Sequence, residues 1–290
     1  MAQIGAARSE GVRHMQKLED YDYIIVGSGT AGSTLAARLS ENPDVRVLVL
    51  EAGGSDKRFW LKLPVGYFRS IYNSDVSRLF RGVQDEGIAG RQMDIPRGRV
   101  IGGSSSINGL IYIRGQRQDF NDWEALGAKG WSYRDVLPHF RNIETYEGEP
   151  NQFRGATGPL GVSDLRNGNP LCEAWLEAAR QTGLPDNPDF NAEETFGVGR
   201  YQLTLKGRWR ESAATAYLHP ALSRPNLTLK THASVLEVLF EGNTASGVQY
   251  TQGGQTHSVF AAREVILAAG AIQSPQLLQL SGIGPADVLK

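Results

Sequence analysis

The sequence predicts an α/β fold of the doubly wound, Rossmann-like kind. A parallel sheet is extended by an antiparallel β-meander, and part of a second, α+β domain is inserted into it. Three observations carry this. Residues 21–54 read YDYIIVGSGTAGSTLAARLSENPDVRVLVLEAGG, which is an apolar strand, a glycine turn, a helix, a second apolar strand and an acid. From Leu227 the hydrophobic pattern shortens to strand period, with turns at Gly242-Asn243 and Gly253-Gly254. Residues 264–268, apolar after the leading Glu264, show no alternation, as in a strand buried on both faces, and Gly270 breaks the run.

Each part of the first unit has a physical role. Gly27 turns the chain sharply from strand to helix. Gly29 lets the backbone approach a pyrophosphate, and Gly32 lets the helix pack on the strand. The N-terminus of the helix, at Ser28, Thr30 and Ala31, offers free N–H groups and a positive dipole end to phosphate. Glu51, followed by Ala52 at the tip of the second strand, can accept both hydroxyls of an adenosine ribose. The unit reads as a dinucleotide site and leaves NAD and FAD both open.

Composition narrows the class. The chain has 290 residues, enough for one large domain or two modest ones, and is 40% hydrophobic and 21% charged, which supports a sizeable core. A formal net charge of −1 gives no basis for binding nucleic acid or an anionic membrane. A single cysteine, Cys172, excludes an internal disulfide and a thiolate metal cluster, so no metal site is expected and a reducing, cytoplasmic compartment fits. Cys172 itself is expected as a small buried hydrophobe. No apolar run is long enough for a transmembrane helix, and residues 1–20 lack the apolar core of a secretory signal. They read as a flexible leader, with Met15 as the more natural start.

Along the chain, residues 59–67 have no clean period and residues 75–98 read as an extended excursion with at most short strands. Helices are expected at 120–126 and at 133–143, the latter with Val136, Leu137 and Phe140 on one face. Residues 147–168 are loop-rich. Asn169 caps a helix with Pro170 in its first turn and an apolar face of Leu171, Trp175, Ala178 and Ala179. A turn at Lys206-Gly207 and a short helix over 215–222 precede the strands. Those at 227–231, 235–241, 247–251 and 256–260 form the meander. A last helix takes Ser274 as cap and Pro275 as first residue. The domains are expected at 21–155 with 225–290 for the cofactor and 156–224 for the first part of a substrate-binding domain.

Three blocks then line up with one family. The 21–54 unit, the segment GRVIGGSSSIN at 98–108 and the segment GAIQSPQLL at 270–278 with Ser281, Gly282, Ile283 and Gly284 resemble the glucose–methanol–choline flavin oxidoreductases. Arg210-Glu211-Ser212-Ala213, Tyr217-Leu218 and Arg224-Pro225-Asn226-Leu227 are also similar, and the choline dehydrogenase-like, alcohol-oxidising branch is nearest.

The resemblance implies FAD rather than NAD. It implies cofactor contacts at Gly27, Ser28, Gly29, Thr30, Ala31, Gly32, Glu51 and Ala52, and at Arg99, Val100, Gly102, Gly103, Ser104, Asn108, Gly109, Leu110 and Ile111. Val235, Ala269 and Gly270 complete the set, with Val235 giving a backbone contact to adenine. The glycines and serines of 102–106 suit a backbone lying against a flat isoalloxazine ring. Some members attach FAD through a histidine at the position held here by Ile107, so non-covalent FAD is expected.

The resemblance further implies hydride transfer from an alcohol carbon to flavin N5, giving an aldehyde or ketone, with oxygen or a carrier as electron acceptor. The base in the family is a histidine far toward the C-terminus, beside a second histidine or an asparagine. Family members run substantially longer than Lys290, so the catalytic positions are expected beyond it and the catalytic residues in this chain stay unknown. His14, His139, His219, His232 and His257 occupy no motif position. A lyase on the same fold, or an inactive flavin-binding fragment, are the competing expectations.

Overall fold

The computed structural model describes residues 21–166 and 168–289; the leader, with His14 and Met15, lies outside the described residues. β1 (Tyr21–Val26), α1 (Thr30–Leu39) and β2 (Val47–Leu50) form the expected unit. Helical turns at Phe59–Lys62, Pro64–Gly66 and Tyr67–Ser70 lead into β3 (Ser77–Arg81) and β4 (Asp94–Gly98), an antiparallel pair. After β5 (Ile111–Tyr112) come α2 (Arg117–Ala125) and α3 (Tyr133–Ile143), then the parallel pair β6 (Glu144–Tyr146) and β7 (Leu160–Val162). Next come α4 (Pro170–Gln181) and β8 (Gln202–Leu203). The hairpin of β9 (Leu205–Lys206) and β10 (Trp209–Arg210) follows, then a π-helical turn at Ala214–Leu218. The chain continues through β11 (Leu227–Lys230), β12 (Ser234–Glu241), β13 (Thr244–Gln252) and β14 (Gln255–Leu267), and α5 (Gly270–Leu280) follows.

One six-stranded sheet, in the order β11-β2-β1-β14-β13-β12, organises these elements. β11, β2, β1 and β14 are parallel, whereas β14, β13 and β12 are antiparallel. Two expectations change here. Leu227–Lys230 belongs to the parallel edge beside β2 and not to the meander. The runs at 256–260 and 264–268 are one strand: the first half of β14 pairs with β13, and the second half pairs with β1 through Ile24–Val265 and Val26–Leu267. A short apolar run fixes that a strand forms and says nothing of its partner's direction.

Strand alternation gives the sheet two cores. Ile25, Val47 and Val49 face α1 and the π-helical turn, packing with Ala36, Ala37, Ala214 and Leu218. Ile24, Val26, Leu48 and Leu50 face the meander and α5, packing with Val238, Val248, Val259 and Leu277. Full burial of each such aliphatic side chain is worth about 1.5–3 kcal/mol.

α3 has the predicted bounds, with the Ser132 side chain accepting from the Asp135 N–H and Pro138 inside it. Asn169 caps α4 as expected, accepting from the Leu171 N–H. The face expected to be buried is not. Leu171 is 79% and Trp175 65% exposed, Cys172 is exposed, and Leu176 is the buried residue of α4. Helical periodicity marks an apolar face without saying that described residues cover it. Ser274 is not a cap either: α5 begins at Gly270 and carries Pro275 in its interior. A proline there deprives the carbonyl four residues earlier, that of Ala271, of its partner, and the helix absorbs this.

A buried charge network, unforeseen from sequence, ties the middle of the chain together. The Arg154 guanidinium donates to Glu144 Oε1 at 2.9 Å and to Asp189 Oδ1 at 2.8 Å, and it lies 3.8 Å from the Tyr146 ring centroid. Arg114 Nη2 also reaches Glu144 Oε1 at 2.8 Å, and the Gly155 N–H donates to the same oxygen. Two cations and two carboxylates balance, and the side chains of Arg154 and Glu144 are fully buried. Glu144→Gln leaves both arginines under-compensated. The expected loss is about 3–5 kcal/mol in urea unfolding, as when one partner of a buried pair is removed.

Candidate functional site

A cavity of about 1120 Å³ opens at the carboxyl ends of β1, β2 and β14, where α1 begins. That position is where open α/β sheets bind ligands, and the volume exceeds the roughly 300–1,000 Å³ of ordinary small-molecule pockets. Its floor is built from backbone. Gly27 has φ +97°, and its N–H donates to the Leu50 carbonyl at 2.8 Å. A Cβ at Gly32 would collide with the Gly27 carbonyl oxygen, so glycine there allows α1 to pack on the turn. Gly103 crosses Gly29 so closely that its Cβ would lie 2.7 Å from the Gly29 Cα.

The start of α1 is open. No side chain caps it, no acidic residue lies in its first turn, and its first backbone bond runs from the Ser33 N–H to the Gly29 carbonyl. A Cβ built on Gly29 would meet no protein atom nearer than 3.9 Å, so the space beyond it is cavity and not packing. This cradle, with free N–H groups and a positive helix end, suits an anion.

Glu51 is 6% exposed and already engaged. Its Oε2 accepts from the Ser28 N–H at 2.8 Å and from Ser28 Oγ at 2.7 Å, and its Oε1 accepts from the Gly53 N–H at 2.8 Å. A carboxylate has about four acceptor positions, so about one is left for a ligand.

The loop 98–108 is held by its own serines. Ser104 Oγ accepts from the Gly98 N–H, Ser105 Oγ donates to the Gly102 carbonyl and accepts from the Ala213 N–H, and Ser106 Oγ donates to the Ile101 carbonyl. The hydroxyls therefore shape the loop, and its backbone at Gly103 and Ser104 faces the cavity.

Comparison with known proteins gives these features a lineage. A family model described as GMC oxidoreductase matches residues 21–288. The chain belongs to the GMC oxidoreductase family. Human mitochondrial choline dehydrogenase is 43% identical over 99% of this chain and 50% of its own length. Among solved structures, pyridoxine 4-oxidase from Mesorbium loti superposes with a TM-score of 0.89 at 37% identity, covering 93% of this chain and 53% of that one. An FAD-dependent oxidoreductase from Chaetomium thermophilum superposes with a TM-score of 0.85 at 34% identity, covering 92% and 48%. The chain spans about half the length of the curated relatives it matches. Family and structural neighbours together imply a flavin cofactor.

Within this GMC oxidoreductase segment, the cavity gathers twelve of the twenty expected contacts: Gly27, Gly29, Thr30, Ala31, Glu51, Ala52, Arg99, Gly103, Ser104, Val235, Ala269 and Gly270. Ser28, Gly32, Val100 and Gly102 lie just behind it as packing and hydrogen-bonding support. Asn108, Gly109, Leu110 and Ile111 do not line it. Asn108 Oδ1 accepts from Arg210 Nη1 at 2.6 Å and from the Leu110 N–H at 3.2 Å. Leu110 is buried with φ +66°, and Ile111 is 55% exposed.

Many other lining residues were missed, among them two arginines and a glutamine. Arg78 and Arg97 come from the β3–β4 hairpin and stand near Arg99, and no carboxylate forms an ion pair with any of these arginines among the described residues. Gln273 joins them from α5. Nothing in the hairpin's turn-rich sequence marked its cations as facing the site. Of the histidines, His219 bonds Asp56 Oδ2 at 3.0 Å, His257 stacks on Tyr250, and His232, with φ +54°, crowds Gly54. His139 is on α3, and none of these four lines the cavity. Among the described residues no His/Cys/Asp/Glu group could hold a metal, and no helix is long and apolar enough to cross a membrane.

The Ser28 hydroxyl ties Glu51 to the glycine turn by a charge-assisted bond. Ser28→Ala is expected to cost about 1.5–3 kcal/mol, the worth of a hydrogen bond to a charged group, read as a lowered midpoint in urea unfolding.

Proposed function

We propose that this chain supplies the FAD-binding portion of an enzyme that oxidises an alcohol to an aldehyde or ketone, with FAD held non-covalently. The observation that carries the reading is the backbone cradle at Gly29. It opens into a dinucleotide-sized cavity and is faced by Glu51 and the Gly103–Ser104 backbone. The similarity to choline dehydrogenase and pyridoxine 4-oxidase supports an alcohol as the substrate class.

The chain's residues divide the work of binding. The N–H groups at the start of α1 take the pyrophosphate, with Arg78, Arg97 and Arg99 offering a cationic wall beside it. Glu51 takes one ribose hydroxyl with its remaining acceptor position, rather than two. Val235, at the start of β12, gives the adenine its backbone. Gly103 and Ser104 lie against the ring system. Bound FAD supplies the acceptor for the hydride that leaves the alcohol carbon. Ile107 supports non-covalent attachment: it has no nucleophile, is 2% exposed and packs with Leu61, Val76 and Val100.

Gly29→Ala separates binding from folding. Gly29 has φ −67° and room for a methyl group, so the fold should keep its stability within about 1 kcal/mol, the usual scale of a cap change. FAD affinity should fall at least about tenfold, equivalent to about 1.4 kcal/mol. Equilibrium dialysis against FAD and urea unfolding check the two halves. The redox reading is tested anaerobically on the full-length protein carrying this segment. Primary alcohols, choline among them, should bleach the flavin absorbance. A bound flavin that no alcohol bleaches would sink the redox assignment and leave the binding assignment standing.

A further inference from the structure

Arg210 is 5% exposed at the end of β10 and joins three places in the chain. Its Nε donates to the Leu61 carbonyl at 3.0 Å. Its Nη1 donates to the Ser105 carbonyl at 3.2 Å and to Asn108 Oδ1 at 2.6 Å, and its Nη2 donates to the Asn108 carbonyl at 2.7 Å. Every partner is a neutral oxygen. No carboxylate forms an ion pair with Arg210 among the described residues, whereas the other buried arginines, Arg114 and Arg154, share Glu144. The neighbouring Glu211 forms no ion pair with Arg210: its hydrogen bond goes to Thr215 and its charge interaction is with Lys206.

Burying a guanidinium against neutral oxygens is costly. Burial pulls its pKa down to about 10, which still leaves it cationic at neutral pH. The charge therefore stands uncompensated behind the loop whose front, at Gly103 and Ser104, lines the cavity. The fork also spends three of its four bonds on residues 105–108: the Asn108 side chain and the main-chain carbonyls of Ser105 and Asn108.

We propose that Arg210 is a positioning residue for the cofactor loop, fixing residues 105–108 from behind and lending the site a positive charge that favours the reduced, more negative flavin. The charge half rests on the flavin reading of the cavity; the positioning half rests on the hydrogen bonds alone. A nearby unpaired cation stabilises added negative charge, so it raises the flavin midpoint potential.

The test compares Arg210→Lys with Arg210→Met in the holoprotein at mildly acidic pH. Lysine keeps the charge and loses the planar fork; methionine keeps much of the volume and loses both. Both variants should speed amide hydrogen exchange at residues 103–108 of the flavin-free protein at least tenfold and raise the FAD dissociation constant. The midpoint potential should fall in Arg210→Met and match the wild type in Arg210→Lys. Equal potentials in all three proteins, or an equal fall in both variants, overturns the charge assignment. Wild-type exchange at 103–108 in Arg210→Lys overturns the positioning assignment, and this variant decides it even where Arg210→Met fails to fold. If the wild type binds no FAD, the flavin reading fails and the charge assignment with it, while exchange still decides the positioning.

Discussion

The site depends on two backbones meeting where neither carries a side chain. Gly29 opens α1 and Gly103 opens the serine-rich turn, and a Cβ on Gly103 would stand 2.7 Å from the Gly29 Cα. A side chain on Gly103 would push the loop 98–108 off the mouth of the sheet, and the cavity would lose one of its walls. Neighbouring crossings repeat the device, with Gly53 against the Arg99 carbonyl and Gly98 against the Gly103 carbonyl. Gly53, Gly98 and Gly103 are thus packing residues first. What remains beyond Gly29 is the space a phosphate group can use.

Around this crossing, polar side chains act mainly on the protein itself. Ser28 and the Gly53 N–H hold Glu51, and Ser104, Ser105 and Ser106 tie their own loop. Arg210 closes the arrangement from behind. A site preassembled in this way leaves little reorganisation for a ligand to drive, which favours affinity over adaptability.

The sequence revealed most where local chemistry and tertiary structure agree. The unit from Tyr21 to Glu51 was legible because strand period, glycine turn and helix each constrain the same residues. The helix α3 was legible because Val136, Leu137 and Phe140 recur on one face. What stayed hidden depends on partners distant in the chain. The direction of β11, the continuity of β14 and the exposure of Leu171 and Trp175 are properties of what lies alongside, which periodicity does not carry. Ser274-Pro275 looked like a helix start because the local rule is sound, yet the segment from Gly270 was already helical. The bond between Arg210 and Asn108 spans residues with no shared motif, and the arginines of the β3–β4 hairpin carry no local mark of facing a cavity.

The continuity of β14 has a consequence for how the chain is made. β1 is the innermost strand beside the cavity and lies between β2 and the last residues of β14. Its second neighbour is therefore synthesised long after it, at Val265, Ile266 and Leu267. At ribosomal rates of about 5–20 residues per second, β1 waits roughly ten to fifty seconds with one edge unpaired and Ile24 and Ile25 without their full cover. Such an apolar strand edge is a template for wrong pairing. The vulnerable moment in this protein's life is set by chain order, before any cofactor enters.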